Sequence, residues 1–187
     1  MKRITILIGN AEQVIREYVN ESGLIDRLVS DNEFSMLHQI CASLDTIGDT
    51  SLAMDSYVKL DFPLDIGQKY IFIYGVLQVL FVQQDAVKNL LASLNVDYRR
   101  NEKLKKIRTI RNNAIGHPTL REEIKTKKPL SYHYITRCTI SKDKVTLHNN
   151  YVKEDEEEFI DIDVINLIHE QDKILSEDLY NAYKIIV

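Results

Sequence analysis

The stretch from Asp65 to Leu94 limits the fold of this chain more than any other. Pro63 punctuates the chain before it, and Asp65 can cap a helix that the apolar pattern carries to about Leu94. Its surface is apolar almost all round, so other helices must cover it on several sides. The most apolar part, Tyr70 to Val82, is interrupted by Gly75 and Gln78. It falls short of the roughly 20 residues that a bilayer requires. A core helix, with no membrane role, is the expectation.

The rest of the pattern supplies the covering elements. Ile4, Leu7, Ile8, Ala11, Val14, Ile15 and Tyr18 form one helical stripe, so residues 3–20 read as a first helix, with a strand at 3–8 as the competing reading. Asp31 or Asn32 can cap a second helix that turns Phe34, Leu37, Cys41 and Leu44 inward. The Gly48-Asp-Thr-Ser segment interrupts it before Leu52 to Leu60. After a connection at Asn95 to Arg99, a basic helix spans 101–115. Residues 119–130 read as an exposed loop or a short helix.

Tyr132 to Ile140 and Lys144 to His148 are β-branched and alternating, and Ser-Lys-Asp-Lys joins them into a hairpin. Glu154 to Glu158 reads as a solvated turn, and Phe159 to Ile162 can add a third strand. Asp163 caps a last helix with an inward stripe of Val164, Leu167, Ile168, Leu175, Leu179, Ala182, Tyr183 and Ile186. The predicted fold is mainly α: one domain over 1–187, an antiparallel helical bundle. A small antiparallel hairpin or three-stranded sheet, 130–162, is inserted before the C-terminal helix. At 187 residues such a domain buries a sizeable core without staples.

Charge is distributed unevenly. Residues 99–128 hold 11 Lys or Arg against 3 acids, a net +8 in a chain of net −4, so the remainder carries −12. A basic patch on an acidic protein directs phosphate to one place; the plain alternative is a solvated lysine-rich helix face. Cys41 and Cys138, the only cysteines, are far apart in sequence. They exclude a disulfide framework or structural zinc site and point to a reducing cytoplasm. Ile4 to Ile8 is too short for a secretory leader.

Several chemistries lack their motifs. There is no Gly-x-x-x-x-Gly-Lys-Ser/Thr loop, no His-Glu-x-x-His helix and no Gly-x-Ser-x-Gly elbow. No metal site and no cofactor are expected. His38 and His169 fall on or near apolar helix faces as packing or edge residues. His133 and His148 can face one another across the hairpin and imitate a metal pair.

One constellation remains, Ile-Arg-Thr-Ile-Arg-Asn-Asn-Ala-Ile-Gly-His-Pro over residues 107–118. Ile107, Ile110 and Ala114 keep helical spacing and place Arg111 in the last turns. Gly116 suits a positive φ past the helix end. His117 precedes Pro118, which moves it off the helix axis. Arg111 offers a permanently charged donor fork, and His117 titrates near neutrality. Arg108, one turn earlier, extends the phosphate grip, and Asn112 can orient the histidine or a phosphate. Asp85, on the long core helix, is the acid best placed to orient Arg111, unless it only caps or pairs locally. Arg99, Arg100, Lys103, Lys105, Lys106 and Arg121 are the further candidate RNA or phosphate contacts. The competing reading is a plain helix terminus, with Arg111 paired to Glu102, Glu122 or an acid of the last helix.

Arg111-Asn112 and His117, with five residues between Arg111 and His117, resemble the Arg-polar-x-x-x-His motif of the HEPN superfamily, in which four to six residues separate the two. The resemblance covers about two thirds of the chain and leaves the hairpin outside. It implies an all-helical core and, in many members, metal-independent RNA cleavage in toxins, phage defence and RNA processing. It also implies a homodimer in which two copies of Arg111 and His117 share one cleft. An antitoxin or nucleotidyltransferase partner would fit such a protein. The alternative within the same fold is a non-catalytic helical module that binds nucleotide, RNA or a partner protein.

Overall fold

The computed structural model describes residues 6–116, 118–123, 125–153 and 155–187. Six α-helices occur among them: α1 (Ile8–Glu21), α2 (Leu24–Ser30), α3 (Phe34–Lys59), α4 (Ile66–Ser93), α5 (Glu102–Arg111) and α6 (Val164–Ile186). Between α5 and α6 lies a four-stranded antiparallel sheet, in the order β1 (Arg121–Glu122), β2 (Pro129–Ile135), β3 (Lys144–Tyr151), β4 (Glu156–Asp163). The fold is mainly helical, with the small sheet placed before the C-terminal helix as the pattern predicts.

Helix α4 is the central element. The Asp65 carboxylate accepts from Gln68 N–H and caps it, a contact of about 1 kcal/mol. Ile73, Val76, Leu77, Leu80, Val87 and Leu90 are buried, chiefly against α3, with α5 and α6 completing the enclosure. By length and composition alone α4 would suffice to cross a bilayer, so its apolar run is longer than the expected one. A chain of amides ties it to its neighbours. Gln84 Nε2 donates to Gln171 Oε1 on α6 and to the Leu104 carbonyl on α5, while Gln171 Nε2 donates to Gln83 Oε1. Gln83 in turn donates to Thr50 on α3. Buried amides joined in this way fix the register of four helices.

Several helix boundaries differ from expectation. Helix α1 begins at Ile8, and residues 1–5, which bear on the helix-or-strand question, lie outside the described residues. No local side chain caps α1. Instead Asp172 of α6 accepts from Leu7 N–H and Ile8 N–H at 2.9 Å. Burial of this carboxyl raises its pKa, and the two N–H groups only partly offset that. Asp31 and Asn32 end α2, which the sequence reading overlooked. Asn32 takes φ 57°, a left-handed conformation that asparagine tolerates. Helix α3 starts after Glu33 without a side-chain cap and turns Cys41 outward.

The expected break at Gly48 does not occur. Helix α3 runs unbroken through it, and a Cβ on Gly9 would come 2.9 Å from Ser51 Oγ. The short side chains here serve the close crossing of α1 and α3.

The sheet is larger than a hairpin. Arg121 and Glu122, expected in a loop or helix, pair with β2, and Glu156 to Glu158, expected in a turn, begin β4. Glu154 lies outside the described residues. Strand β2 stops at Ile135, and a 3₁₀ turn, Arg137–Thr139, replaces its predicted end. In the β2–β3 register His133 opposes Asn149 and His148 opposes Tyr134, so the two histidines occupy opposite faces of the sheet. Side chains alternate along a strand, which rules out the imagined pair. His38 and His169 are exposed on their helices.

Candidate functional site

Helix α5 is short and anchored at its start, where Asn101 accepts from Lys103 N–H. Leu104 and Ile107 are buried toward α4. Directly after Arg111 the backbone widens into a π-helical turn, Asn112–Gly116. Such turns are rare and frequently mark functional sites. Asn113 and Ala114 are buried in it, and Gly116 is exposed. His117 lies outside the described residues.

Two guanidiniums from α5 rest on the Phe81 ring of α4, with Arg108 Cζ 3.7 Å and Arg111 Cζ 4.2 Å from its centroid. A cation over an aromatic face gains roughly 0.5–1 kcal/mol at exposed sites and more when desolvated. Their polar partners differ. Arg108 makes a two-pronged pair with Asp85, Nη1 to Oδ1 at 2.8 Å and Nη2 to Oδ2 at 3.3 Å. Arg100 reaches the same Oδ1 at 3.1 Å. Arg111 instead gives Nε and Nη2 to Gln78 Oε1 at 3.0 and 2.7 Å, and Nη1 to Asn112 Oδ1 at 3.0 Å. Among the described residues no carboxylate lies within ion-pair distance of Arg111. Asp85 therefore holds Arg108 and Arg100, and Gln78 takes the orienting role expected of it at Arg111. Asn112 turns toward the arginine.

Neutral holders leave the Arg111 charge uncancelled. A guanidinium has five N–H groups, and among the described residues three hydrogen bonds engage Arg111, with two N–H groups beyond these open to an anion. Gly116 contributes by its size. Its φ is not in the left-handed region, and a Cβ there would stand 3.1 Å from Arg111 Nη1. The glycine makes room for the guanidinium and does not serve as a positive-φ stop.

The remaining basic candidates separate into two groups. Lys103 pairs with Glu170 and Lys105 with Glu102, while Arg100 is committed to Asp85. Arg99 and Lys106 are exposed, with no carboxylate in ion-pair range among the described residues. Arg121 lines a cleft of about 150 Å³ with Thr109, Asn112 and Asn113. Strand β1 thus brings a cation to the π-helical turn, next to Arg111's own partner. The sheet is fastened there by His133 N–H donating to the Pro118 carbonyl at 2.9 Å. Near Arg100, burial and then the Asp178 carboxylate push the Tyr98 phenol up to about 12.

Neither Gln78 nor Phe81 is among the site residues expected from the sequence. Their signal was present: Gln78, Phe81 and Asp85 repeat at i, i+3 and i+7, which places them on one face of α4. Gln78 also interrupts the most apolar run of the chain.

No family model matches the chain, and no curated protein or solved structure matches it. The HEPN resemblance rests on the Arg111–His117 motif. Among the described residues no three His, Cys, Asp or Glu side chains are grouped to hold a metal ion.

Proposed function

We propose that the chain is a metal-independent endoribonuclease of the HEPN type. The observation that carries this reading is the Arg111 guanidinium, fixed by Gln78, Asn112 and Phe81 yet without a countercharge among the described residues. A surface ion pair would have spent that charge; amide holders keep it for phosphate oxygens. RNA brings its own nucleophile. The 2′-oxygen forms a bond to phosphorus as the P–O5′ bond breaks, giving a 2′,3′-cyclic phosphate and a 5′-hydroxyl. In this reading Arg111 stabilises the charge on the non-bridging oxygens, and His117 moves a proton to or from the reacting oxygens. Arg121, Arg99 and Lys106 would receive neighbouring phosphates, as would the cationic surplus of Arg108 and Arg100 over Asp85.

One histidine does not readily act on both sides of the phosphorus, so the reading includes a homodimer with two motifs in one cleft. The α4 surface supports that arrangement. Ile71 is 69% and Tyr74 38% exposed, and both lead toward Gln78 on the helix face that carries Gly75. A Cβ on Gly75 would meet nothing within 4 Å, so a partner helix can approach closely there. A toxin or phage-defence role with an antitoxin or nucleotidyltransferase partner belongs to the same reading. So does a reducing cytoplasm, which suits two exposed free thiols, Cys41 and Cys138.

The deciding experiment incubates the protein with mixed RNA in EDTA, beside Arg111→Ala and His117→Ala. The expected result is cleavage by the wild type, reduced on the order of a hundredfold or more in each variant. Cleavage that survives both substitutions, or that needs a metal, ends this reading. The non-catalytic alternative has one observation in its favour, the immobilisation of Arg111 on three sides, which suits a static phosphate site. RNA binding without cleavage, weakening as salt rises, would select it.

A further inference from the structure

The outer face of the sheet carries charge of the opposite sign to α5. In the β3–β4 register Asn150 faces Glu157, His148 faces Phe159 and Thr146 faces Asp161. Along β4 that face reads acid, aromatic, acid. The His148 ring lies parallel to Phe159, with centroids 4.3 Å apart and planes 2° from parallel. Tyr134 on β2 meets its other side edge-on at 4.7 Å. The row of rings therefore ends at Phe159, which is 62% exposed on the last strand of the sheet.

Beyond Phe159 no described strand pairs with β4, so the outward backbone N–H and C=O groups of β4 have no strand partner. Glu156, Glu157 and Glu158 have no lysine or arginine within 4 Å among the described residues. Their nearest polar partners are Asn150, Asn149, Tyr151 and His148. Asp161 alone is matched, by Lys144 at 2.6 Å. Charged side chains do guard free strand edges against pairing. A large exposed aromatic between two acids works against that purpose.

We propose that β4 docks an extended basic segment of a partner protein, added as a fifth strand. Side chains alternate along a strand, so every second residue of the segment would stand beside Glu157, Phe159 and Asp161 in turn. Complementarity then asks for a cation beside Glu157, since Lys144 already answers Asp161. At the middle position it asks for an arginine or an apolar side chain, against the open face of Phe159. The acids repel RNA from this face, so it would operate apart from the Arg111 site whether or not the chain cleaves RNA.

The test titrates the full-length protein into a fluorescein-labelled decapeptide of alternating arginine and valine, at physiological ionic strength. Fluorescence anisotropy is compared for wild type, Phe159→Ser, Glu157→Lys and, as a matched charge reversal elsewhere, Glu21→Lys. Circular dichroism checks that each variant keeps its fold. The expected result is binding that weakens roughly tenfold in Phe159→Ser and Glu157→Lys and little in Glu21→Lys. N-methylation of alternate peptide amides should weaken it similarly, because strand addition needs those donors. Absence of binding, or equal losses in all three variants, overturns the proposal. Self-association of the wild type that both sheet variants abolish overturns it in favour of a second copy. An RNA oligonucleotide whose affinity depends on Phe159 overturns it in favour of base stacking.

Discussion

The two halves of the α4–α5 face place the same side chain on the same ring and reach opposite electrostatic results. In the first, Arg100 and Arg108 converge on the Asp85 carboxylate, which cancels half of their charge and fastens α5 to α4. In the second, Arg111 is held as firmly by two amides, which cancel nothing. A carboxylate makes an arginine structural, whereas an amide positions it and leaves its charge for a ligand. Arg108 and Arg111, three residues apart on α5, share Phe81 and diverge to partners seven residues apart on α4, two helical turns along one face.

The contrast can be broken most sharply by Gln78→Glu, which gives Arg111 the partner that Arg108 already has. RNA affinity should fall roughly tenfold, with the salt slope of binding shallower by about one ion, because one phosphate contact is cancelled. Stability should hold or rise by a few tenths of a kcal/mol, about the value of a partly exposed ion pair. Binding isotherms at several salt concentrations, together with urea unfolding, read both quantities. Unchanged binding would show that Arg111 never meets phosphate.

A milder intrusion is Gly116→Ala. The added methyl presses on Arg111 Nη1 from 3.1 Å and should displace the guanidinium by a few tenths of an ångström. Cleavage or binding should drop several-fold while the melting temperature barely changes, since misplacement of a catalytic group costs rate out of proportion to stability. A melting temperature that falls as far as activity would make Gly116 a plain folding residue.

The smallest change is expected from Asp85→Asn in the other half. It releases two guanidiniums, so stability should fall by about 1 kcal/mol or less, the carboxylate being 40% exposed. RNA affinity should rise slightly, with a steeper salt dependence. A fall in affinity would mean that Arg108 must be braced by Asp85 to serve the site. The pair of opposite signs, down for Gln78→Glu and up for Asp85→Asn, is the signature of the proposed division.

What could be read from the sequence followed from how local each signal is. Asp65 and Asp163 announce α4 and α6 because a capping carboxylate bonds an N–H three residues on, within the same turn. The apolar stripe of α6 is equally local: Val164, Ile168, Leu175, Leu179 and Ala182 are all buried. Helix α1 lacks such a signal because its cap, Asp172, is supplied from the far end of the chain. The strand at Glu156 to Glu158 was hidden for a related reason. Three acids in a row look like a turn until β3 supplies the hydrogen bonds that hold them extended.

A mainly helical chain built on α4, an inserted sheet, and a lone motif of Arg111 and His117 within the basic segment are legible in residue order alone. Those rest on periodicity, capping and charge, which act over one or two turns. Which arginine is left with an uncancelled charge is settled by helix packing. That choice depends on whether a carboxylate or an amide of α4 faces each guanidinium, and this is set by the packing of two helices separated along the chain. Arg108 faces Asp85, and Arg111 faces Gln78.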